Sequence, residues 1–271
     1  MDIKTVQQAI LLVAKEIHRI CEENGIQYTM IGGTFLGAIR HKGFIPWDDD
    51  MDFGMTWPDY KKFISVLETM DHPWLTYDIP SVANADYGKL FIKVYDSRTT
   101  FIEADKSGKA RGVFVDIFPI LGCGDSVREG GIRWTCYQFI RSLMDRKVYD
   151  IHEGDSWTVK DTILKAVSRL VPAKVLKKTV LGYYERMSRK RTRYSMIYDG
   201  SKRDILVSEH YDSPRVLYPF EDSAFYGAPD YDGWLSSVFG NYMELPPVEQ
   251  RVSHHCKYVD LSTPYAEYKG R

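Results

Sequence analysis

"GGTFLGAIRHKGFIPWDDDMDFGM", residues 32–55, begins with two glycines and ends in a cluster of four aspartates. Carboxylates this close in sequence raise each other's pKa strongly unless a cation lies among them. Alternate side chains of a strand share a face, so a strand that begins early enough places Asp48, Asp50 and Asp52 together and Asp49 opposite. Such oxygen ligands are typical of Mg²⁺ or Mn²⁺ bound together with substrate phosphates. The stretch therefore predicts a site for metal and phosphate.

The two glycines lie between a predicted strand and a predicted helix. "IQYTMI" (26–31) is apolar and predicts a buried strand, and "TFLGAIRH" predicts a short helix. At such a turn, glycine lets backbone N–H groups approach a phosphate closely. Gly32 and Gly33 match neither the GxGxxG pattern nor the P-loop pattern, so their significance depends on the aspartates that follow.

Two other interpretations of the aspartates are open. The spacing Asp48-x-Asp50-x-Asp52 copies the first ligands of an EF-hand calcium loop. That loop needs Gly at position 6 and Glu at position 12, where this chain has Phe53 and Asp59. The aspartates could also form a capping or turn cluster without metal, but a purely structural cluster leaves the upstream glycines unexplained.

The segments around this stretch predict a mixed α/β (α+β) fold. Helical spacing of apolar residues and a first-turn Pro58 predict one helix on each side of the motif. Runs of apolar and β-branched residues predict several strands, which together with the helices indicate a mixed sheet core flanked by helices. The predicted helices cover residues 2–24 and 58–70, and the predicted strands cover 88–96, 99–104 and 112–120.

Two further polar residues lie within predicted strands. Asp116 is polar in the otherwise apolar "VFVDIFP", and a third carboxylate from a neighbouring strand would allow two metals to be bridged. Lys93, in "FIKVYD", is a candidate phosphate ligand if it points the same way as the carboxylates. It could equally be a surface residue of an edge strand.

Composition excludes several classes of protein. The 271 residues carry a net charge of −1, which gives no reason to expect a nucleic-acid partner. The four cysteines have no CxxC or metal-ligand spacing, and the N-terminal segment reads directly as a charged amphipathic helix. The longest aliphatic run, "AILLVA" (9–14), is too short to span a bilayer. We therefore expect a cytoplasmic protein.

The chain divides into three regions by pattern: residues 1–125, which predict the catalytic core, a basic helical region at 126–202, and an irregular C-terminal segment at 203–271 that completes the same unit. Residues 160–193 contain eleven basic and two acidic residues, a net charge of +9. This segment is either a solvated helix face or a surface for anionic lipid headgroups or polymer. Its candidate apolar contacts are Leu164, Val167, Leu170, Val171, Leu176 and Leu181.

The order hydrophobic-Gly-Gly, Asp-x-Asp and a third strand carboxylate resembles the nucleotidyltransferase superfamily of polymerase β. The longer run at 32–55 resembles the LicD family, bacterial phosphocholine transferases related to fukutin-type proteins. "FIKVYDSRTTFIE", "GVFVDIFPI" and "FYGAPDYDGWLSSVFGNYMELPP" continue the resemblance over most of the chain. The zinc-finger insertion of the fukutin-related branch has no counterpart here, because the cysteines are not suitably spaced.

The resemblance implies roles for individual residues. Asp50 and Asp52 would be metal ligands and Asp116 the third carboxylate, with Asp48 as a further candidate ligand. The residues that would hold or neutralise substrate phosphate are Gly32, Gly33, Thr34, Arg40, His41, Lys42 and Lys93. The last motif residues, at 40–42, could instead be solvated turn residues.

The resemblance also implies a reaction, in which phosphocholine passes from CDP-choline to a sugar hydroxyl of a teichoic acid, lipoteichoic acid or lipopolysaccharide precursor and CMP is released. Mg²⁺ or Mn²⁺ would be the cofactor. The acceptor would be a lipid-linked glycan, so residues 160–193 could contact the inner face of the membrane peripherally. The alternatives are nucleotidyl transfer, transfer of ribitol phosphate, phosphoethanolamine or sugar phosphate, and an inactive binding scaffold.

Choline recognition needs an aromatic or acidic pocket. The candidates in the C-terminal segment are Tyr211, Tyr218, Phe225, Tyr226, Tyr231 and Trp234. His254 and His255 are candidates for a base or a metal ligand, although adjacent residues of an extended chain face opposite ways.

Overall fold

The computed structural model describes residues 2–84, 87–104, 109–148, 158–252 and 256–269. The helices are α1 (Ile3–Asn24), α2 (Gly32–Arg40), α3 (Trp57–Thr69), α4 (Val127–Val148), α5 (Val159–Leu170), α6 (Ala173–Ser188), α7 (Glu209–Asp212) and α8 (Tyr231–Phe239). The strands are β1 (Thr29–Met30), β2 (Asp52–Thr56), β3 (Leu75–Asp78), β4 (Ile92–Asp96), β5 (Thr100–Glu103), β6 (Ala110–Arg111), β7 (Phe114–Gly124), β8 (Tyr194–Ile197), β9 (Leu206–Val207), β10 (Val216–Phe220), β11 (Ser223–Gly227) and β12 (Cys256–Asp260).

A seven-stranded mixed sheet forms the centre of the fold. Its main path runs β1-β2-β7-β4-β3, and β8 and β9 extend it from β7. The pairing of β2 with β7 is parallel, whereas β4 and β8 both pair with β7 in antiparallel orientation. A sheet of both orientations flanked by helices confirms the predicted mixed α/β fold.

The long strand β7 organises this sheet. Its first half pairs with β4 through Phe114–Ile117, and its second half pairs with β8 through Ile120–Gly124. Residues 113–115, 117, 120 and 121 are buried, as expected for a strand covered on both faces. Asp116 and Ile117, near the centre of the sheet, are therefore paired with a strand on each side.

Helix α1 agrees closely with the helix predicted at 2–24. The Asp2 side chain accepts a hydrogen bond from the Lys4 N–H at its start, and Gly25 ends it in the left-handed region at φ +56°. Val13 and Ile17 are fully buried in its core-facing stripe. The helix contacts β4 and β7 and so covers the sheet beneath the motif.

Around the motif, three elements differ from the sequence expectation. The strand expected at 26–31 is only Thr29–Met30, and α2 begins at Gly32 rather than after the glycines. Strand β2 begins at Asp52, so residues 48–51 form a loop and the predicted alternation of Asp48, Asp50 and Asp52 on one strand is wrong. The cause is a turn in which the Asp48 N–H bonds to the Ile45 carbonyl at 2.9 Å.

The two later regions contain strands that the sequence analysis did not predict. Strand β8 lies within 126–202 yet pairs with β7, because the second half of β7 needs a partner. The C-terminal segment is not irregular: β10 and β11 form a hairpin, and β12 pairs with β5. The segment does pack on the core, which agrees with its predicted place in the same unit, and it also contains α8.

Across the part of the chain that the structure describes, no helix has both the length and the apolar character needed to cross a membrane.

Candidate active site

Three charged residues lie side by side across the central sheet. Asp52 on β2 is the register partner of Asp116 on β7, and Asp116 is the register partner of Lys93 on β4. Register partners on adjacent strands project to the same face of a sheet. We refer to Asp52, Asp116 and Lys93 as the charged strip.

Lys93 is almost wholly buried, with 2% of its surface exposed. Its Nζ lies 2.8 Å from Asp116 Oδ1 and 3.4 Å from Glu103 Oε1, and it stands 3.1 Å from the centroid of the Phe114 ring. A buried ammonium is tolerable only with such partners. Because β4 lies between β7 and β3, the alternative that Lys93 is a surface residue of an edge strand is wrong.

The pKa values of the two strip carboxyls are both raised. Burial is the largest cause for Asp52, and the nearby charges of Asp50, Asp116 and Asp48 raise its pKa further. Burial also raises the pKa of Asp116, to about 6, although Lys93 opposes that shift. Both carboxyls therefore resist ionisation, and an added cation would relieve that resistance.

The remaining aspartates of the motif precede the strip in the loop at 48–51. The charges of Asp48 and Asp50 act on Asp52, so both lie near it. Asp49 is buried, and its Oδ2 accepts a hydrogen bond from the Cys256 N–H at 2.8 Å. The different partner of Asp49 agrees with its predicted separation from the other three, although a turn rather than a strand produces it.

The paired glycines allow this loop to lie against the first turn of α2. Gly32 has φ +54°, a region that only glycine adopts readily, and a Cβ there would lie 3.5 Å from Asp52 Oδ2. A Cβ at Gly33 would lie 2.9 Å from Asp48 Oδ2, closer than such atoms normally approach. The positive end of the α2 dipole thus lies beside the carboxylates. A helix N-terminus there would suit phosphate, and phosphate binding by Gly32 and Gly33 stays a prediction.

Thr34 has a positioning role that the sequence analysis did not foresee. Its buried Oγ1 accepts a hydrogen bond from the Asp52 N–H at 2.8 Å. This contact ties the first turn of α2 to the first residue of β2. Binding of phosphate by the Thr34 hydroxyl stays a prediction.

Three predicted phosphate ligands lie at the opposite end of α2. Arg40 lies eight helical positions after Gly32, a rise of about 12 Å. Arg40 donates to the carbonyl of Tyr242 at 2.8 Å, and Lys42 has φ +59°. Burial, followed by the charge of Arg40, lowers the pKa of His41 and favours the neutral imidazole. The structure therefore gives the 40–42 segment contacts with the C-terminal region, and its phosphate role stays a prediction.

Residues far away in sequence hold the motif loop in place. The Gln7 side chain donates to the carbonyls of Ile45 and Asp48, at 3.1 and 2.8 Å. Glu221, in the β10–β11 turn, donates its N–H to the Lys42 carbonyl at 2.8 Å and accepts from the Phe44 N–H at 3.0 Å. Glu221 adopts φ +54°, a strained conformation that these two bonds maintain.

The sequence analysis missed four residues of this environment. Glu103 and Lys89 extend the ion pairing beyond Lys93, with 3.5 Å between Lys89 Nζ and Glu103 Oε1. Glu103 was recognisable as the polar end of the predicted strand at 99–104. Gln7 was recognisable as a polar residue at helical spacing with the buried Ile10, whereas Glu221 carried no signal because its role depends on a distant loop.

The aromatic residues proposed for a choline pocket mostly belong to the core. Tyr211, Phe225 and Trp234 are fully buried, and Trp234 packs edge-on against Phe35. Tyr218 donates to the Ala228 carbonyl at 2.8 Å. These contacts are those of packing residues rather than an open aromatic box. His254 and His255 lie outside the described residues.

The donor set suits a hard divalent cation in its chemistry. Asp50, Asp52 and Asp116 supply only oxygen atoms, and Asp48 adds another carboxylate. Asp116 Oδ1 is buried and, despite its ion pair with Lys93, receives no hydrogen bond of acceptable geometry from the described residues. Within the described residues, the side chains as placed form no group of three His, Cys, Asp or Glu that could hold a metal ion. Metal binding by these carboxylates therefore stays a prediction. Their oxygen chemistry would suit Mg²⁺, which keeps several positions for water and substrate phosphate.

Comparison with known proteins agrees with this geometry. Residues 25–138 match the model of the LicD/FKTN/FKRP nucleotidyltransferase domain, a range that contains the glycine turn and the whole charged strip. This chain has a LicD-family nucleotidyltransferase domain.

The LicD similarity extends well beyond that domain. The chain is 28% identical over 266 residues to the lipopolysaccharide cholinephosphotransferase LicD of Haemophilus influenzae, covering 94% of this chain and 96% of that protein. It is 43% identical over 53 residues to an uncharacterised protein of Rickettsia typhi. It is 40% identical over 48 residues to human ribitol 5-phosphate transferase FKRP, covering 18% of this chain and 10% of that protein. The family domain and the nearly full-length match to a cholinephosphotransferase together support a phosphotransferase activity for this chain.

Proposed function

We propose that this LicD-family enzyme transfers phosphocholine from CDP-choline to a sugar hydroxyl of a lipid-linked surface-glycan precursor and releases CMP. The precursor would belong to lipopolysaccharide, teichoic acid or lipoteichoic acid, and the reaction would take place on the cytoplasmic side of the membrane. The observation that carries the proposal is the register of Asp52, Asp116 and Lys93 beside the N-terminus of α2. The similarity of the chain to a cholinephosphotransferase along nearly its whole length supports CDP-choline as the proposed donor.

The carboxylates would hold the cofactor. Asp50, Asp52 and Asp116, with Asp48 nearby, are the residues that fit Mg²⁺ or Mn²⁺. When bound, the cation would neutralise the diphosphate charge that develops as the bond to CMP breaks.

The chain's own groups would bind the donor and move a proton. Backbone N–H groups at Gly32 and Gly33 would receive the donor phosphates at the helix N-terminus. The acceptor oxygen would attack the phosphorus that carries choline, the bond from this phosphorus to the CMP oxygen would break, and CMP would leave. Asp116 would take the acceptor's proton as the general base. Lys93 would hold Asp116 in place through the 2.8 Å ion pair.

Ribitol phosphate is a second candidate for the transferred group. The observation that favours it is the short segment of 40% identity to ribitol 5-phosphate transferase FKRP. The same carboxylates could serve either donor, since both would carry a cytidine diphosphate.

The test is a release assay with the purified full-length chain, Mg²⁺ and a choline-free lipopolysaccharide or teichoic acid preparation. CDP-choline, CDP-ribitol and CTP are supplied separately, and CMP, pyrophosphate and labelled glycan are measured. We expect CMP and labelled glycan with CDP-choline, and loss of both in Asp52→Asn but not in the exposed-residue control Asp71→Asn.

The other outcomes distinguish the alternatives. Transfer only from CDP-ribitol would replace the proposed donor, and pyrophosphate from CTP would indicate a nucleotidyltransferase. Absence of any product with all three donors and both acceptors would favour the binding scaffold and refute the proposal.

A further inference from the structure

The turn between α5 and α6 exposes large apolar side chains to solvent. Leu170, the last residue of α5, is 83% exposed, the highest value for any large apolar residue in the described ranges. Ile163, two helical turns earlier, is 58% exposed, and Val175, in the first turn of α6, is 50% exposed. Residues seven apart share a helix face, so Ile163 and Leu170 form one apolar stripe.

Exposed cations surround these side chains. Arg169, Lys174 and Lys178 are all exposed, and within the ranges that the structure describes they form no ion pair. The two acidic residues of the segment are occupied elsewhere: Asp161 pairs with Arg146, and Glu185 with Lys61. We call Ile163, Arg169, Leu170, Lys174, Val175 and Lys178 the basic-apolar tip.

Some members of the basic segment are not available to a partner. Lys177 is fully buried, and its Nζ donates to the carbonyls of Asn84 and Tyr87. Arg191 pairs with Asp212 at 3.0 Å. Leu164 and Leu176, which the sequence analysis offered as surface contacts, are buried in the core, so that part of the expectation is wrong. The structure therefore removes Lys177, Leu164 and Leu176 from the predicted surface at 160–193 and leaves the tip as its most exposed apolar part.

The tip is held in a fixed position. A capping box between Thr158 and Asp161 defines the start of α5, and the Arg146–Asp161 ion pair joins it to α4. At the other end, Lys147 of α4 donates to the Ser168 carbonyl at 2.8 Å, in the last turn of α5. The apolar and cationic groups are thus presented together rather than on a loose chain.

We propose that the basic-apolar tip binds the surface of a membrane rich in anionic lipid, with Arg169, Lys174 and Lys178 at the headgroups and Leu170 inserted among the upper acyl segments. The charge of the tip indicates which partner it binds. Unpaired cations around an exposed leucine are complementary to an anionic membrane surface. The same cations would repel those of a second copy of the tip. The biological purpose, access to a lipid-linked acceptor, rests on the proposed function, but the binding itself does not.

The test is flotation of the full-length protein with vesicles of phosphatidylglycerol and phosphatidylethanolamine, with pure phosphatidylcholine vesicles in parallel. The tip variants are Lys174→Glu/Lys178→Glu and Leu170→Ser, and the matched control is Lys4→Glu/Lys269→Glu, two exposed lysines elsewhere. We expect binding to anionic vesicles only, about a tenfold or greater loss in the charge variant, a smaller loss in Leu170→Ser, and no change in the control.

Circular dichroism of each variant checks that the fold is retained. The proposal is overturned if the wild-type chain does not float with anionic vesicles, or if the control loses as much binding as the tip variants. It is equally overturned if sedimentation shows that Leu170→Ser abolishes a dimer while lipid binding is absent.

A parallel measurement separates this proposal from the catalytic one. CMP release with a detergent-solubilised acceptor should be unchanged in the tip variants, whereas Asp52→Asn should float normally and release no CMP. Failure of flotation with CMP release intact would refute the tip alone. Failure of CMP release in the wild-type chain with flotation intact would refute the transferase proposal alone.

Discussion

The charged strip and the basic-apolar tip both concentrate charge, but they differ in how that charge is balanced. In the strip, Lys93 is buried against Asp116 and Glu103, and the carboxyl pKa values are raised by burial. At the tip, three cations stand in water around Leu170 without an ion pair among the described residues. Buried charge is fixed by the fold and suits chemistry at one point, whereas exposed charge suits a broad, exchangeable partner.

The largest effect should come from removing a carboxylate of the strip. Asp52→Asn keeps the side-chain volume but removes the negative charge that would hold the cation. Loss of about 4 kcal/mol of transition-state stabilisation corresponds to about 10³-fold in kcat. Steady-state CMP release measures it, with thermal unfolding to show that the fold is retained. If Asp52→Asn kept full Mg²⁺-dependent activity, Asp52 would not be a metal ligand of the active site.

The next effect concerns the buried cation of the strip. Lys93→Met leaves Asp116 and Glu103 without their buried partner and should lower the free energy of unfolding by about 3 kcal/mol. Lys89→Met is the matched control, because Lys89 is more exposed and should cost about 1 kcal/mol or less. Urea unfolding compares the two. If both variants lost the same free energy of unfolding, the ion pairs of Lys93 would contribute no more to stability than those of a more exposed lysine.

A smaller effect is expected at the glycine turn. Gly33→Ala would place a Cβ 2.9 Å from Asp48 Oδ2, so the Asp48 carboxylate must move. We expect activity to fall about tenfold, the scale seen for residues that orient metal ligands. Gly182→Ala in α6 is the control, since its Cβ meets nothing within 4 Å and should be neutral or slightly stabilising. Unchanged activity in Gly33→Ala would show that Asp48 need not approach α2 closely.

The smallest effect is a pH-dependent response to metal. Because the pKa of Asp116 is raised to about 6, the folded state binds more protons than the unfolded state between about pH 4 and 6, and stability falls as pH rises through that window. Above about pH 6 the Asp116 carboxyl is already ionised, so Mg²⁺ would bind without displacing its proton and would offset the loss of stability. Differential scanning fluorimetry should show a Tm increase of about 3 °C with Mg²⁺ at pH 7.5 and less at pH 5. An equal increase in Asp52→Asn would place the metal elsewhere.

Local pattern was sufficient to single out Asp52 and Asp116 but not the residues around them. Asp52 and Asp116 were recognisable as polar residues in strand patterns, and their direct register follows from β2 and β7 being neighbours. The loop at 48–51 was mistaken for strand, because the turn there depends on Gln7 from a distant helix. The burial of Lys93 also required the sheet order, which no single segment determines.

The basic segment shows the same limit. The net charge of +9 was evident from the sequence, but the sequence did not show which basic residues would be buried in the fold. Lys177 is buried because it bonds to carbonyls about ninety residues earlier. Only three-dimensional packing separates such a residue from the exposed Lys178 beside it.

Several contacts of the motif are made by residues that are synthesised long after it. Glu221 bonds to Phe44 across 177 residues, the Tyr242 carbonyl to Arg40 across 202, and the Cys256 N–H to Asp49 across 207. Contacts of such separation form late, because closing a long loop costs entropy before the contact can repay it. A chain still emerging from the ribosome therefore has the aspartates but lacks the groups that orient them. We expect chains truncated before residue 221 to release no CMP, because transfer activity would require the contacts that residues 221, 242 and 256 make with the motif.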